Sequence, residues 1–151
     1  MRLWAAVYAS IWIVFFEILL GMWPDPPAAV PYLHLLLGIA IVGVVYNSLR
    51  QLRASRVPGR VKRIANATFG LSIVMLVTGL LLWVDFGSGW NVPGLNFSVF
   101  RLVLIFHAVN ALAIITQAAA AAIAYDMWED HEFEKESLPG VIPPAPVAGK
   151  A

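Results

Sequence analysis

Four apolar runs, each about twenty residues long, dominate this chain of 151 residues. They cover approximately residues 3–23, 28–47, 65–84 and 99–125. At about 1.5 Å of rise per residue, each run is long enough as a helix to cross roughly 30 Å of hydrocarbon. The residues that break helices collect between them, in "PDPPAAVP" (24–31), "RASRVPGR" (53–60) and "DFGSGWNVPG" (85–94). Pro, Gly, Asp and Asn in such clusters mark connections. With 60% hydrophobic residues, 13% charged residues and a mean hydropathy of +0.78, the chain lacks the polar surface of a soluble domain of this size. The expectation is an all-α integral membrane protein, a four-helix up-down bundle over residues 1–128. An acidic, then Pro-rich tail over 129–151 is expected to begin as a short helical extension and end as a docking segment. The first run is too long for the apolar part of a cleaved signal peptide, and no small-x-small site precedes a polar start.

Charge orients the spans. Six of the ten basic residues, Arg50, Arg53, Arg56, Arg60, Lys62 and Arg63, fall between the second and third runs. By the positive-inside rule that connection is cytoplasmic, and so are both termini. The other two connections carry only Asp25 and Asp85, which suits the outer face of a prokaryotic cytoplasmic membrane. Trp4, Trp23, Trp83, Trp90 and Trp128 fall near span ends, as interfacial aromatic residues do. Trp12 lies mid-span and is expected to pack internally. The absence of cysteine rules out disulfides, iron–sulfur clusters, thiolate zinc sites and covalent haem attachment. The expected surroundings are a lipid bilayer and a larger membrane complex, with no nucleic acid.

Ionisable groups inside a span are costly and mark function. Glu17 lies about six residues before the outer end of span one. His34 lies about six residues into span two, and His107 six residues beyond Arg101, which sits near the start of span four. Three polar groups on three helices thus share one depth, roughly 9 Å below the outer surface. Their faces agree as well. Ser10, Val14, Glu17 and Gly21 form a stripe, as do His107, Asn110, Ile114 and Gln117. Gly38, one turn after His34, leaves room for a flat group, and the alanines at 118–122 allow close helix approach.

Spans two and four are diagonal in an up-down bundle, so His34 and His107 can ligate one iron from opposite sides. A bis-histidine haem b needs little more than two axial imidazoles, an apolar slot and partners for its propionates. Arg101 is the candidate propionate partner, although its helical angle is offset from His107 by roughly 120°. Glu17 is placed to orient an imidazole or take part in proton transfer, with Asn110 as a further supporting group. Other readings stay open. The histidines can bridge helices, pairing with each other or with Glu17, with no metal at all. A copper or zinc ion on two histidines and a glutamate would need another ligand. A chlorophyll-type pigment would need one histidine. Asn110 and Gln117 are also suited to joining helices, and His131, among solvated charges, reads as a surface residue.

The stretches "HLLLGIAIVG" (34–43) and "HAVNAL" (107–112) resemble an uncharacterised family of small four-helix prokaryotic membrane proteins. They also resemble one half of haem A synthase, whose second and fourth helices carry the haem-ligating histidines, and more loosely the b561-type membrane cytochromes. The resemblance spans about 125 residues and implies axial-ligand roles for His34 and His107. Haem A synthase has a glutamate three residues before its helix-two histidine and usually an arginine just after it. Here Pro31 and Leu35 stand at those positions, so the oxidative chemistry does not carry over. The expected function is that of a small b-type cytochrome passing single electrons within a larger respiratory or oxidoreductase complex, with quinone as a further candidate partner. The alternative is a cofactor-free structural or assembly subunit, and a third reading is an enzyme of haem or quinone chemistry using Glu17.

Overall fold

A computed structural model describes residues 3–94 and 96–137, with side chains to residue 132. The fold is all-α: α1 (Leu3–Gly21), α2 (Val30–Ala54), α3 (Gly59–Trp83) and α4 (Val99–Ser137). All four are long and apolar enough to cross a membrane. Each helix packs against its chain neighbours, and α1 closes the ring against α4. α2 and α4 therefore face each other across the core, as do α1 and α3.

The helices outrun the apolar stretches. α3 begins at Gly59, six residues before the apolar run at 65, so Arg60, Lys62 and Arg63 lie on helix. Arg and Lys are good helix formers, and nothing there ends the backbone ladder until Pro58. Lys62 also fastens the incoming chain, because its Nζ donates to the carbonyls of Arg53 (3.2 Å) and Ser55 (2.8 Å) at the end of α2. α4 runs unbroken past residue 128 to Ser137, as the expected helical extension; the Pro-rich part of the tail lies outside the described residues. His131 is exposed.

Polarity is distributed inside-out. Large apolar side chains, Phe16, Leu36, Val77, Ile105 and Val109 among them, are exposed around the bundle. The buried set is instead rich in small and polar groups, including Ser10, Ser48, Thr68, Ser72 and Thr78. Each of these hydroxyls donates to a carbonyl three or four residues back in its own helix, so none is left unpaired and helices approach closely over them. Ala118, Ala121 and Ala122 give α4 the same close approach, and Asn110 Nδ2 ties α4 to α3 by donating to the Leu71 carbonyl at 3.0 Å. Trp12 corrects one expectation: it is 59% exposed and stands beside Phe15 and Phe16 on the outer face instead of packing inside.

The connection between α3 and α4 is ordered by backbone strain that glycine tolerates. Gly87 has φ +76°, and a Cβ there would stand 2.8 Å from Val99 Cγ1. An Asn91–Ser98 bridge then closes the loop.

Candidate functional site

The shared depth of the three ionisable groups becomes contact. His34 from α2 and His107 from α4 meet across the bundle, with ring centroids 6.2 Å apart and planes at 61°. Glu17 of α1 is 3% exposed, and its Oε2 lies 2.8 Å from His34 Nδ1. The carboxylate approaches off the line of the ring N–H, so this is a close polar contact more than an aligned hydrogen bond. The other oxygen, Glu17 Oε1, is buried with no hydrogen-bond donor among the described residues. A buried carboxylate oxygen left so is costly and marks a place where a donor would be stabilised.

His107 has a different anchor. Thr78 Oγ1 lies 3.0 Å from His107 Nδ1. The same hydroxyl donates to the carbonyls of Val74 and Met75 at 2.9 and 3.0 Å. With that proton on the backbone, a lone pair of the hydroxyl can accept from His107 Nδ1–H. That arrangement suits the Nδ1–H tautomer of His107. A carboxylate beside His34 Nδ1 favours the same tautomer. In that form each ring presents an Nε2 lone pair, with its orientation set from behind by a neighbouring helix. Metal-ligating histidines are held in this way.

Glycines shape the space around both rings. A Cβ at Gly79 would stand 3.2 Å from His107 Cε1, and one at Gly21 would stand 3.5 Å from His34 Cε1. Gly38 clears room for Glu17, since a Cβ there would lie 3.9 Å from Oε2. It lines the smaller of two chambers that meet at the histidine pair. The larger, about 420 Å³, opens toward the α1–α2 connection and the seam between α1 and α4. Its walls include Ile18, Trp23, Leu82, Trp83, Leu104 and Leu112, with Glu17 and the two histidines as its ionisable groups. Volume and lining fall in the range of small-molecule sites, roughly 300–1,000 Å³.

Of the residues singled out in the sequence, Glu17, His34, Gly38 and His107 come together. Arg101 does not. It is exposed in the first turn of α4 and does not line either chamber. The 120° offset along the helix carries it away from the face of His107. Asn110 is occupied with Leu71 and serves as an interhelical tie, not as a partner of the histidines. Gln117 stands at the flank of the buried stripe, which continues through Ala118 and Ala121.

Thr78, Gly79 and Gly21 were not singled out as parts of the site. Thr78 had a usable signal: it lies six residues before the expected outer end of span three at Val84. The count that selects Glu17, His34 and His107 therefore selects Thr78 too.

These features define a class, a four-helix bundle of membrane-spanning character with paired imidazoles at a shared level near one end. Comparison with protein-family models, curated proteins and solved structures finds no match.

Proposed function

We propose that this protein is a small b-type cytochrome of a prokaryotic cytoplasmic membrane, with both termini and the arginine-rich connection on the cytoplasmic side. His34 and His107 would be the axial ligands of one haem b near the outer face. The observation that carries this reading is the pair of Nδ1-anchored imidazoles on diagonal helices. Their ring centres lie 6.2 Å apart, close enough for both imidazoles to meet one group.

The residues present fit the group in other respects. Gly21 and Gly79 leave space beside the rings that a Cβ would fill, and the adjoining chamber is apolar. Among the described residues no set of three or more His, Asp, Glu or Cys is arranged to hold a metal ion. A porphyrin supplies four ligands of its own and asks only two from the chain, which suits two imidazoles better than a bare copper or zinc ion would be suited.

Bound there, a haem supplies a one-electron iron couple. The chain's own part is to orient and exclude. Glu17 and Thr78 hold the imidazoles from behind, and Ile18, Leu82 and Leu104 keep water from the site. One haem near one face leaves most of the bilayer unspanned. The chain then works with a partner, as a subunit of a larger respiratory or oxidoreductase complex or with a quinol. The resemblance to the haem-binding half of haem A synthase and to b561-type cytochromes supports the reading of the architecture.

One observation favours a second reading, a cofactor-free structural or assembly subunit: both histidines already have protein partners, Glu17 and Thr78. A reduced-minus-oxidised spectrum of protein produced with ample haem separates the two. The cytochrome reading expects a sharp α band that is lost in both His34→Ala and His107→Ala. A folded, colourless wild-type protein would sink it.

A further inference from the structure

Six cations sit at the end of the bundle where α2 gives way to α3, and the structure divides them into two groups. Two are used internally. Lys62 caps the last carbonyls of α2, and Arg53 Nη2 donates to Asn66 Oδ1 at 2.5 Å. The other four, Arg50, Arg56, Arg60 and Arg63, are exposed. No acidic side chain forms an ion pair with any of them among the described residues.

Their depth is informative. Arg50 stands twenty residues after Val30, the first residue of α2, and Arg63 stands twenty residues before Trp83, the last of α3. At about 1.5 Å per residue both are roughly 30 Å from the opposite end, the thickness of the hydrocarbon layer. Arg56 and Arg60 lie one or two turns farther along the chain, around the connection. The four guanidinium groups thus stand at and just beyond the boundary between apolar and polar surface. Tyr46 and Val74, on the same two helices, are exposed and apolar on the inner side of that boundary.

We propose that Arg50, Arg56, Arg60 and Arg63 form a binding surface for the phosphate groups of anionic phospholipids. A solvated charge cluster would need no fixed depth. Here four guanidinium groups with no ion-pair partner among the described residues occupy the headgroup level, where planar, multidentate donors match phosphate oxygens. Cations near an anionic leaflet attract its lipids, each by about fivefold in affinity. Lys62 and Arg53 keep their charge but are held by neutral oxygens of the protein, so substituting the other four tests the guanidinium groups left to meet phosphate. The inference rests on the membrane-spanning reading of the four helices and is independent of whether haem is bound.

The test uses the full chain in a neutral detergent, with lipid adducts counted by native mass spectrometry. Dioleoyl phosphatidylglycerol, dioleoyl phosphatidylcholine and inorganic phosphate are titrated separately. The expected result is at least tenfold preferential retention of phosphatidylglycerol over phosphatidylcholine. It should fall to near parity in Arg50→Gln/Arg56→Gln/Arg60→Gln/Arg63→Gln and persist in Arg101→Gln, which alters a cation at the other end. Circular dichroism checks that the fourfold variant keeps its helices. If it does not fold, the wild-type lipid preference and its loss in Arg56→Gln/Arg60→Gln decide the matter. Equal retention of the two lipids overturns the proposal, as does retention unchanged in the variants. Displacement of the lipid by millimolar phosphate would show a free-anion site and overturn the lipid assignment. A wild-type chain that stays soluble and helical without detergent would overturn the membrane reading itself, an outcome distinct from insertion without lipid preference.

Discussion

At the end of the bundle where α2 turns into α3, Leu49, Leu52, Val57, Val61, Ala65 and Tyr125 close into a cluster, and Leu3, Phe69, Ala124 and Trp128 seal its edges. Tyr8 of α1 and Asp126 of α4 are hydrogen-bonded across the neighbouring seam. At the other end the same four helices leave a chamber of about 420 Å³ beside two imidazoles and a carboxylate. A helical bundle in lipid gains little from the hydrophobic effect between its helices and relies on contact. Open space at one end therefore gives up contacts that the other end makes. The difference teaches that the two ends are built differently: one is filled and holds the helices together, and the other keeps an apolar chamber beside its ionisable groups.

The comparison breaks most visibly at the histidines. In the cytochrome reading His34→Ala and His107→Ala would each abolish the α band, since both imidazoles would be needed to hold the haem. Helicity by circular dichroism should stay unchanged in both, because neither ring belongs to the buried clusters. A variant that loses its helices with its colour would show that the site end also carries the fold.

Stability should respond in the opposite sense. Leu52 is 1% exposed at the sealed end, whereas Leu82 lines the open chamber. Leu52→Ala is expected to cost about 2 kcal/mol or more, because it opens a cavity in a filled space. Leu82→Ala is expected to cost less than about 1 kcal/mol, since its side chain already borders open volume. Thermal melting in detergent compares them directly. Equal losses would mean that the two ends are packed alike.

Much of this contrast was legible in the sequence, for reasons that particular residues make plain. Glu17, His34 and His107 stand out because charge is expensive among apolar residues, and helical rise converts their positions into one depth. The helix bounds were less legible. Hydropathy falls at Arg60, Lys62 and Arg63, but the backbone ladder of α3 continues through them to Pro58. Arg101 lies away from the chamber lining, which depth alone does not indicate because it ignores rotation about the helix. Thr78 and Gly79 were passed over because Thr and Gly are ordinary residues in membrane helices. Depth alone marks Thr78, but which neighbour it and Gly79 face is set by packing.

The anchors of the two imidazoles can be compared next. Thr78→Val keeps the shape of the side chain and removes the oxygen that accepts from His107 Nδ1. In the cytochrome reading, loss of such a partner is expected to weaken haem retention about tenfold, at the lower end of effects of this kind. Thr78→Ser should restore it, because the hydroxyl remains. Titration of apoprotein with haemin, followed by the Soret band, measures all three proteins. If Val and Ser behave alike, the oxygen does not hold the ring.

The smallest effect, and the one that isolates geometry from chemistry, comes from two glycines on α3. A Cβ at Gly70 meets nothing within 4 Å, while one at Gly79 stands 3.2 Å from His107 Cε1. Replacing glycine by alanine inside a helix stabilises it by about 0.5–1 kcal/mol where space allows, chiefly by restricting the unfolded chain. Gly70→Ala should therefore raise the melting temperature and leave haem retention untouched. Gly79→Ala gains the same backbone term, but the added methyl must push the His107 ring by a few tenths of an ångström. Its net stability change should lie near zero, with haemin affinity falling by about threefold, less than for Thr78→Val because the hydrogen bond is kept. If Gly79→Ala stabilised the chain as much as Gly70→Ala did and left haemin binding intact, the ring would have room to spare. The open end of the bundle would then be loosely packed without being shaped around its histidines.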